Sequence, residues 1–128
     1  DAYVALSWYK PREDLLVLDG MPRNVEQVEV VKEYLEIYRI IYLECSDMED
    51  MVHRIRRRAI RENRTDDANE DIIRHRFELY EKVTAPVLEK YDPSIIERID
   101  CNRSPAEVLR AILNATIPVQ NEHFRENQ

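Results

Sequence analysis

A single glycine, Gly20, serves the whole 128-residue chain. No glycine-rich phosphate loop with its Lys and Ser or Thr can therefore be written anywhere in it. The two cysteines, Cys45 and Cys101, are too few for a disulfide framework and lack the paired spacing of a zinc site. The expectation is reduced thiols in a cytoplasmic protein, both acting as small core or near-core residues. Aromatics amount to 8% of residues, and none falls between Arg54 and Arg64, so that stretch lacks the stacking platform of single-strand nucleic-acid binders. No run of about 18 apolar residues exists that could span a membrane. Positive charge is in the minority, with 19 Lys and Arg against 26 Asp and Glu and a net charge of -7. That balance argues against general attraction to nucleic acid or anionic membrane, so any anion site must be local.

What is present describes one folded, helix-rich domain's worth of chain, with 44% hydrophobic and 35% charged residues. Ala2 to Tyr9 reads as the end of a helix that stops before Pro11. Asp14 to Leu18 is a short apolar run that suits a strand buried on both faces of a parallel sheet. Asn24 is placed to cap a helix from Val25 to about Leu35. Arg39 to Glu44 alternates as a second strand, and Ser46 with Glu49 makes a capping-box signature for a helix from Asp47 to about Arg58. Ala59 to Asp67 is polar and aperiodic, a short loop. Asn69 to Tyr91 carries an amphipathic helix that Pro86 should kink and Pro93 ends. Ile95 to Ile99 is a third strand. Ser104, Pro105 and Glu107 start a last helix to about Asn114, followed by a loosely held tail from Ile117. Strands alternating with helices predict an α/β protein with a parallel sheet flanked by helices.

Two constellations carry chemistry. In the first, Leu18, Asp19, Gly20, Met21, Pro22 and Arg23 follow the apolar run, and Gln27 sits one helical turn further on. Ligands of parallel sheets gather at the carboxyl ends of strands. Gly20 can adopt backbone angles closed to other residues, and Pro22 stiffens the turn that presents Arg23. A guanidinium grips phosphate oxygens in pairs, and a glutamine amide offers the donor and acceptor that an adenine edge needs. The turn reads equally as a structural joint whose arginine meets a nearby acid. The second constellation is dense in arginine: Arg54, Arg56, Arg57, Arg58, Arg61, Arg64, Arg74 and Arg76. For Arg56, Arg57, Arg61 and Arg74, neutralisation by Glu62, Asp66, Asp67, Glu70 and Asp71 is the preferred reading. Arginines converging from several elements are what phosphoryl transfer requires, since it proceeds by alignment and charge stabilisation. His53 and His75 have no third ligand in sequence and read as surface residues.

Taken in order, these strings resemble the adenylate kinase family over nearly the whole chain. The matching residues are Leu18 to Asn24 with Gln27, His53 to Arg58, Arg64 to Asp67, Ile73 to Arg76, Thr84 to Pro86, and Ile99 with Asp100. The resemblance implies an incomplete P-loop kinase-like sheet, with residues 1–128 forming part of the core domain and a short lid at about 59–67. By it, Gly20, Met21, Pro22, Arg23 and Gln27 would hold AMP, with Arg23 on the phosphate and Gln27 on adenine. Arg54 and Arg58 would cover ATP and its phosphates, and the main chain at Arg103 would face the ATP base. Arg64 and Arg76 would reach the AMP phosphate and the group in transit, and Asp19 would assist Mg2+ through water. ATP, AMP and ADP are the implied partners, with Mg2+ brought by ATP. The lid is too short for a zinc-carrying insertion. Met21 and Cys101 depart from the family's usual phenylalanine and glycine.

The first strand and the phosphate loop are missing from this pattern. In the family that strand lies between the ones expected at Leu15 and Ile40. These residues are therefore expected to be the C-terminal part of a longer kinase, or to have the gap filled by a second chain or swapped segment; alone they should be nearly inactive. The alternative is a non-catalytic, nucleotide-binding or interaction fragment derived from a kinase.

Overall fold

The computed structural model describes Lys10 and residues 13–124, so the helix expected over Ala2 to Tyr9 lies outside the described residues. Helix α1 (Val25–Tyr34) begins as the sequence indicates, with the Asn24 side chain accepting a hydrogen bond from the Gln27 amide. Strand β1 (Ile40–Glu44) follows, then α2 (Met48–Arg61). A short 3-10 turn (Thr65–Ala68) leads into α3 (Glu70–Leu88), which runs through Pro86. A second 3-10 turn (Pro93–Ile95) delivers β2 (Ile96–Asp100), and α4 (Pro105–Phe124) closes the described chain.

Strands β1 and β2 pair in parallel, in the register Ile40 with Ile96 through Glu44 with Asp100. Helix α2 packs on α3 and on the first 3-10 turn, α1 reaches α3, and α4 covers β2. At the amino end of β1, the Tyr38 ring stacks on His123 of α4 with centroids 3.9 Å apart. The core is thin. Val28 and Val31 of α1, Val52 and Ala59 of α2, Ile73, Val87 and Leu88 of α3, Ile99 of β2 and Val119 of α4 are its buried members. None is larger than leucine, while Leu109, Leu113 and Ile117 remain exposed at a four-residue spacing that lines one face of α4. Among the described residues, no helix is long and apolar enough to cross a membrane.

Four expectations are corrected. Asp14 to Leu18 is not a strand: no ladder includes it, although Leu16 and Leu18 are half-buried while Leu15 and Val17 are exposed, Val17 to 85%. A strand needs a neighbour, and among the described residues none lies beside this run. Helix α2 is capped by Asp47, which accepts from the Asp50 amide at 3.0 Å, because the Ser46 hydroxyl is taken by Asp100 across the sheet. The loop expected over Ala59 to Asp67 is shorter, since α2 continues to Arg61 and Asn63 turns the chain with φ 56°. The last helix passes Asn114 and reaches Phe124, because Val119 finds a buried place and Tyr38 stacks on His123. The expected start of that helix holds: Ser104 and Glu107 form a reciprocal capping box, with the Ser104 amide and hydroxyl donating to Glu107 Oε2 at 3.0 and 2.7 Å.

Candidate functional site

The glycine turn closes on itself. Gly20 has φ 73°, a conformation that L side chains rarely adopt, and a Cβ there would lie 3.1 Å from an Arg23 guanidinium nitrogen. Arg23 Nε donates to the Gly20 carbonyl at 2.9 Å, and the Arg23 amide donates to Gln27 Oε1 at 2.7 Å. The structure thus brings Gly20, Arg23 and Gln27 together, with Arg23 exposed to solvent. No acid pairs with Arg23 among the described residues; its guanidinium is tied instead to the Gly20 carbonyl. Asp19 and Met21 are exposed beside it, and Pro22 is half-buried.

At the carboxyl ends of the strands a second group forms. Arg54 Nε meets Asp50 Oδ2 at 2.7 Å, while its two terminal nitrogens donate to the main-chain carbonyls of Asn102 and Arg103. Arg54, expected over ATP and its phosphates, and the Arg103 backbone, expected at the ATP base, are therefore neighbours. Ser46, Asp47 and Asn102 were not anticipated here. Asn102 accepts from the Asp47 amide at 3.0 Å and donates to the Asp47 carbonyl and Asp50 Oδ2 at 2.9 and 3.1 Å. Their only sequence signal is position, just after two strands whose adjacency the sequence alone does not reveal. Asp100 accepts from the Asn102 amide at 3.0 Å and from the Ser46 hydroxyl at 2.9 Å, which together hold its carboxyl below the usual range.

This depression has a pH consequence. A group whose folded pKa lies below its unfolded value adds stability above that unfolded value, and the gain fades as pH falls through the folded one. Asp100, Asp92 and Glu107 are all lowered by hydrogen bonds. The thermal midpoint is expected to be flat near neutrality and to drop as pH is taken below about 4. An Asp100→Asn variant should show a shallower drop, measured by melts across an acid series.

The third group surrounds the turn between α2 and α3. Arg58 Nε and Arg64 both hold Glu62, at 3.0 and 3.5 Å, and Arg58 is the main cause of the lowered Glu62 carboxyl. Arg76 meets only Asp67, at 3.5 Å, and its side chain is 66% exposed. Arg74 is different in kind: it bridges Glu49, Glu70 and Asp71 at 2.8, 3.3 and 3.2 Å, and Glu49 above all, with Glu70, pushes its pKa up. Arg56 joins Glu70 at 3.0 Å. The reading of Arg56 and Arg74 as structurally neutralised holds. Because α2, the 3-10 turn and α3 pack together, Arg58, Arg64 and Arg76 share one region. No hydrogen bond or ion pair among the described residues joins that region to the Arg23 turn.

No protein-family model matches the chain, and no solved structure matches it. Among curated proteins, an adenylate kinase of Kocuria rhizophila is 39% identical over 104 residues, 77% of this chain and 55% of the relative. One of Thermobifida fusca is 36% identical over 104 residues, 77% of this chain and 54% of the relative. One of Thermus thermophilus is 34% identical over 110 residues, 79% of this chain and 58% of the relative. The chain thus spans about half the length of the curated relatives it matches, corresponding to their C-terminal part.

Proposed function

For a chain homologous to the C-terminal part of adenylate kinases, we propose that the protein it belongs to transfers a phosphoryl group from ATP to AMP, giving two ADP. The observation that carries this reading is the Gly20 turn, where a positive-φ glycine, an exposed guanidinium and a glutamine amide meet in one turn. Arg23 and Gln27 bind AMP, helped by Gly20, Met21 and Pro22. Arg54 and Arg58 cover ATP and its phosphates, the Arg103 main chain takes the ATP base, and Arg64 and Arg76 reach the AMP phosphate and the group in transit. Glu62 and Asp67 hold these last arginines in the resting chain and release them to a more strongly charged guest. Mg2+ arrives on ATP and neutralises its phosphates; a lone exposed carboxylate such as Asp19 suits contact through water, as this ion keeps much of its hydration. A non-catalytic nucleotide-binding fragment is the second reading, favoured by the absence of any glycine but Gly20.

The unpaired run at Leu15 to Leu18, the two-strand sheet and the exposed stripe on α4 support a gap that another segment fills. A coupled ADP-formation assay separates the readings. The full gene product should be active and the 128-residue chain nearly silent; turnover by the bare chain would overturn the account of the missing phosphate loop. Calorimetry with AMP tests the first site directly. Arg23→Ala is expected to weaken AMP binding by about 10- to 100-fold, as a charge-assisted pair to phosphate is lost. Unchanged affinity would remove Arg23 from the site.

A further inference from the structure

We propose that Cys45 and Cys101 form a reversible intramolecular disulfide, a redox-operated clasp across the carboxyl ends of β1 and β2. The register pairs Glu44 with Asp100, so the two cysteines are the next residues along adjacent parallel strands. The Cys101 amide donates to the Glu44 carbonyl at 2.8 Å, which carries the ladder one step past its last pair. Neighbouring strands lie about 4.8 Å apart, inside the Cα separation of about 4.4 to 6.8 Å that a disulfide spans. Both thiols are free and half-buried, at matching positions one step past the last pair of the ladder. Cys45 also donates to the Asp47 carbonyl at 3.3 Å. The pair is therefore close before any oxidant arrives.

The oxidant is a peroxide. Burial is the largest influence on both thiols and pushes them up, and at Cys101 the Arg54 guanidinium opposes it only in part. The Cys101 thiolate attacks hydrogen peroxide; the O–O bond breaks, the sulfur becomes a sulfenic acid and one water leaves with the thiol proton. The Cys45 sulfur then attacks the sulfenic sulfur; the S–S bond forms, the S–O bond breaks and a second water leaves with the Cys45 proton. Two thiols have given two electrons to one peroxide. A dithiol reverses the change by exchange.

The consequence reaches Arg54. Cys101 leads directly into Asn102 and Arg103, whose carbonyls hold that guanidinium, and Asn102 ties the start of α2 through Asp47 and Asp50. A bond from Cys101 to Cys45 fixes this strap to the end of β1 and closes a long loop of the unfolded chain, which favours the folded state. The inference stands independently of the kinase reading.

The test exposes the reduced 128-residue chain to hydrogen peroxide, blocks remaining thiols with iodoacetamide and maps peptides without reduction. The expected result is a monomer carrying a Cys45–Cys101 cross-linked peptide, lighter by two hydrogens and absent after dithiothreitol. The oxidised chain should also melt at a higher temperature than the reduced one. Cys45→Ser and Cys101→Ser should each abolish the cross-link. Both thiols alkylated after exposure, disulfides only between chains, or separate sulfinic acids on the two sulfurs would each overturn the proposal. The map of the unsubstituted chain decides the matter if either variant fails to fold.

Discussion

Arg76→Ala in the full gene product is expected to lower kcat for ADP formation by about 10³-fold or more, with little change in thermal midpoint. Arginines that meet the charge of a phosphoryl group in transit contribute about 10³ to 10⁵ in rate. The structural role of Arg76 is slight, since its single partner, Asp67, lies at 3.5 Å and two-thirds of the side chain is in solvent. An exposed pair of this kind adds about 0 to 1 kcal/mol. Arg74, two residues earlier on the same helix, supplies the control. It holds three carboxylates drawn from α2 and α3, and only a third of its side chain is exposed. Arg74→Ala should therefore lower the melting temperature more than Arg76→Ala does while leaving kcat of the folded enzyme nearly intact. The two arginines separate function from stability within one helical turn. Steady-state kinetics beside melts of both variants checks this, and a Arg76→Ala enzyme with parental kcat would remove Arg76 from the reacting centre.

The contrast between these arginines also marks how far the sequence could be read. Local signals were sufficient wherever the deciding partners were near in the chain. Asn24 with Gln27, Ser104 with Glu107, and the positive φ of Gly20 are all contacts within four residues, and each stands as the sequence indicates. The parallel strands at Ile40–Glu44 and Ile96–Asp100 were also legible, because branched apolar residues cluster there. Long-range competition hid the rest. Ser46 looked like a cap until Asp100 claimed its hydroxyl from the neighbouring strand, which left Asp47 to cap α2. Asp14 to Leu18 has the composition of a strand, but composition supplies no pairing partner. Nothing local announces that Cys45 and Cys101 follow paired positions, because only the register of β1 and β2 makes them neighbours. In the candidate site the residue types were legible, while their resting partners were not: Glu62 shared by Arg58 and Arg64, and the two carbonyls under Arg54, depend on how α2 meets the turns around it.

Val52→Asp is expected to abolish cooperative folding altogether. Val52 is fully buried on α2 and, with Val28, is among the largest side chains wholly removed from solvent. A core built from valines, an alanine and a few larger aliphatic residues buries modest apolar area, and domains of this size hold only about 5 to 15 kcal/mol of net stability. Placing an unpaired carboxylate in that core costs roughly 4 kcal/mol or more, since among the described residues no buried polar or charged side chain stands ready to receive it. The same substitution at exposed Val30 of α1 is the control and should leave the melt nearly unchanged. Far-UV circular dichroism with thermal melts reads both. A Val52→Asp chain that melts like its parent would show that α2 is held by something other than its buried face. The effect then extends to chemistry: Arg54 and Arg58 lie two and six residues beyond Val52 on the same helix, so the valine that anchors α2 also fixes where both guanidinium groups point. In so thin a core, the placement of both guanidinium groups rests on a single layer of small aliphatic side chains.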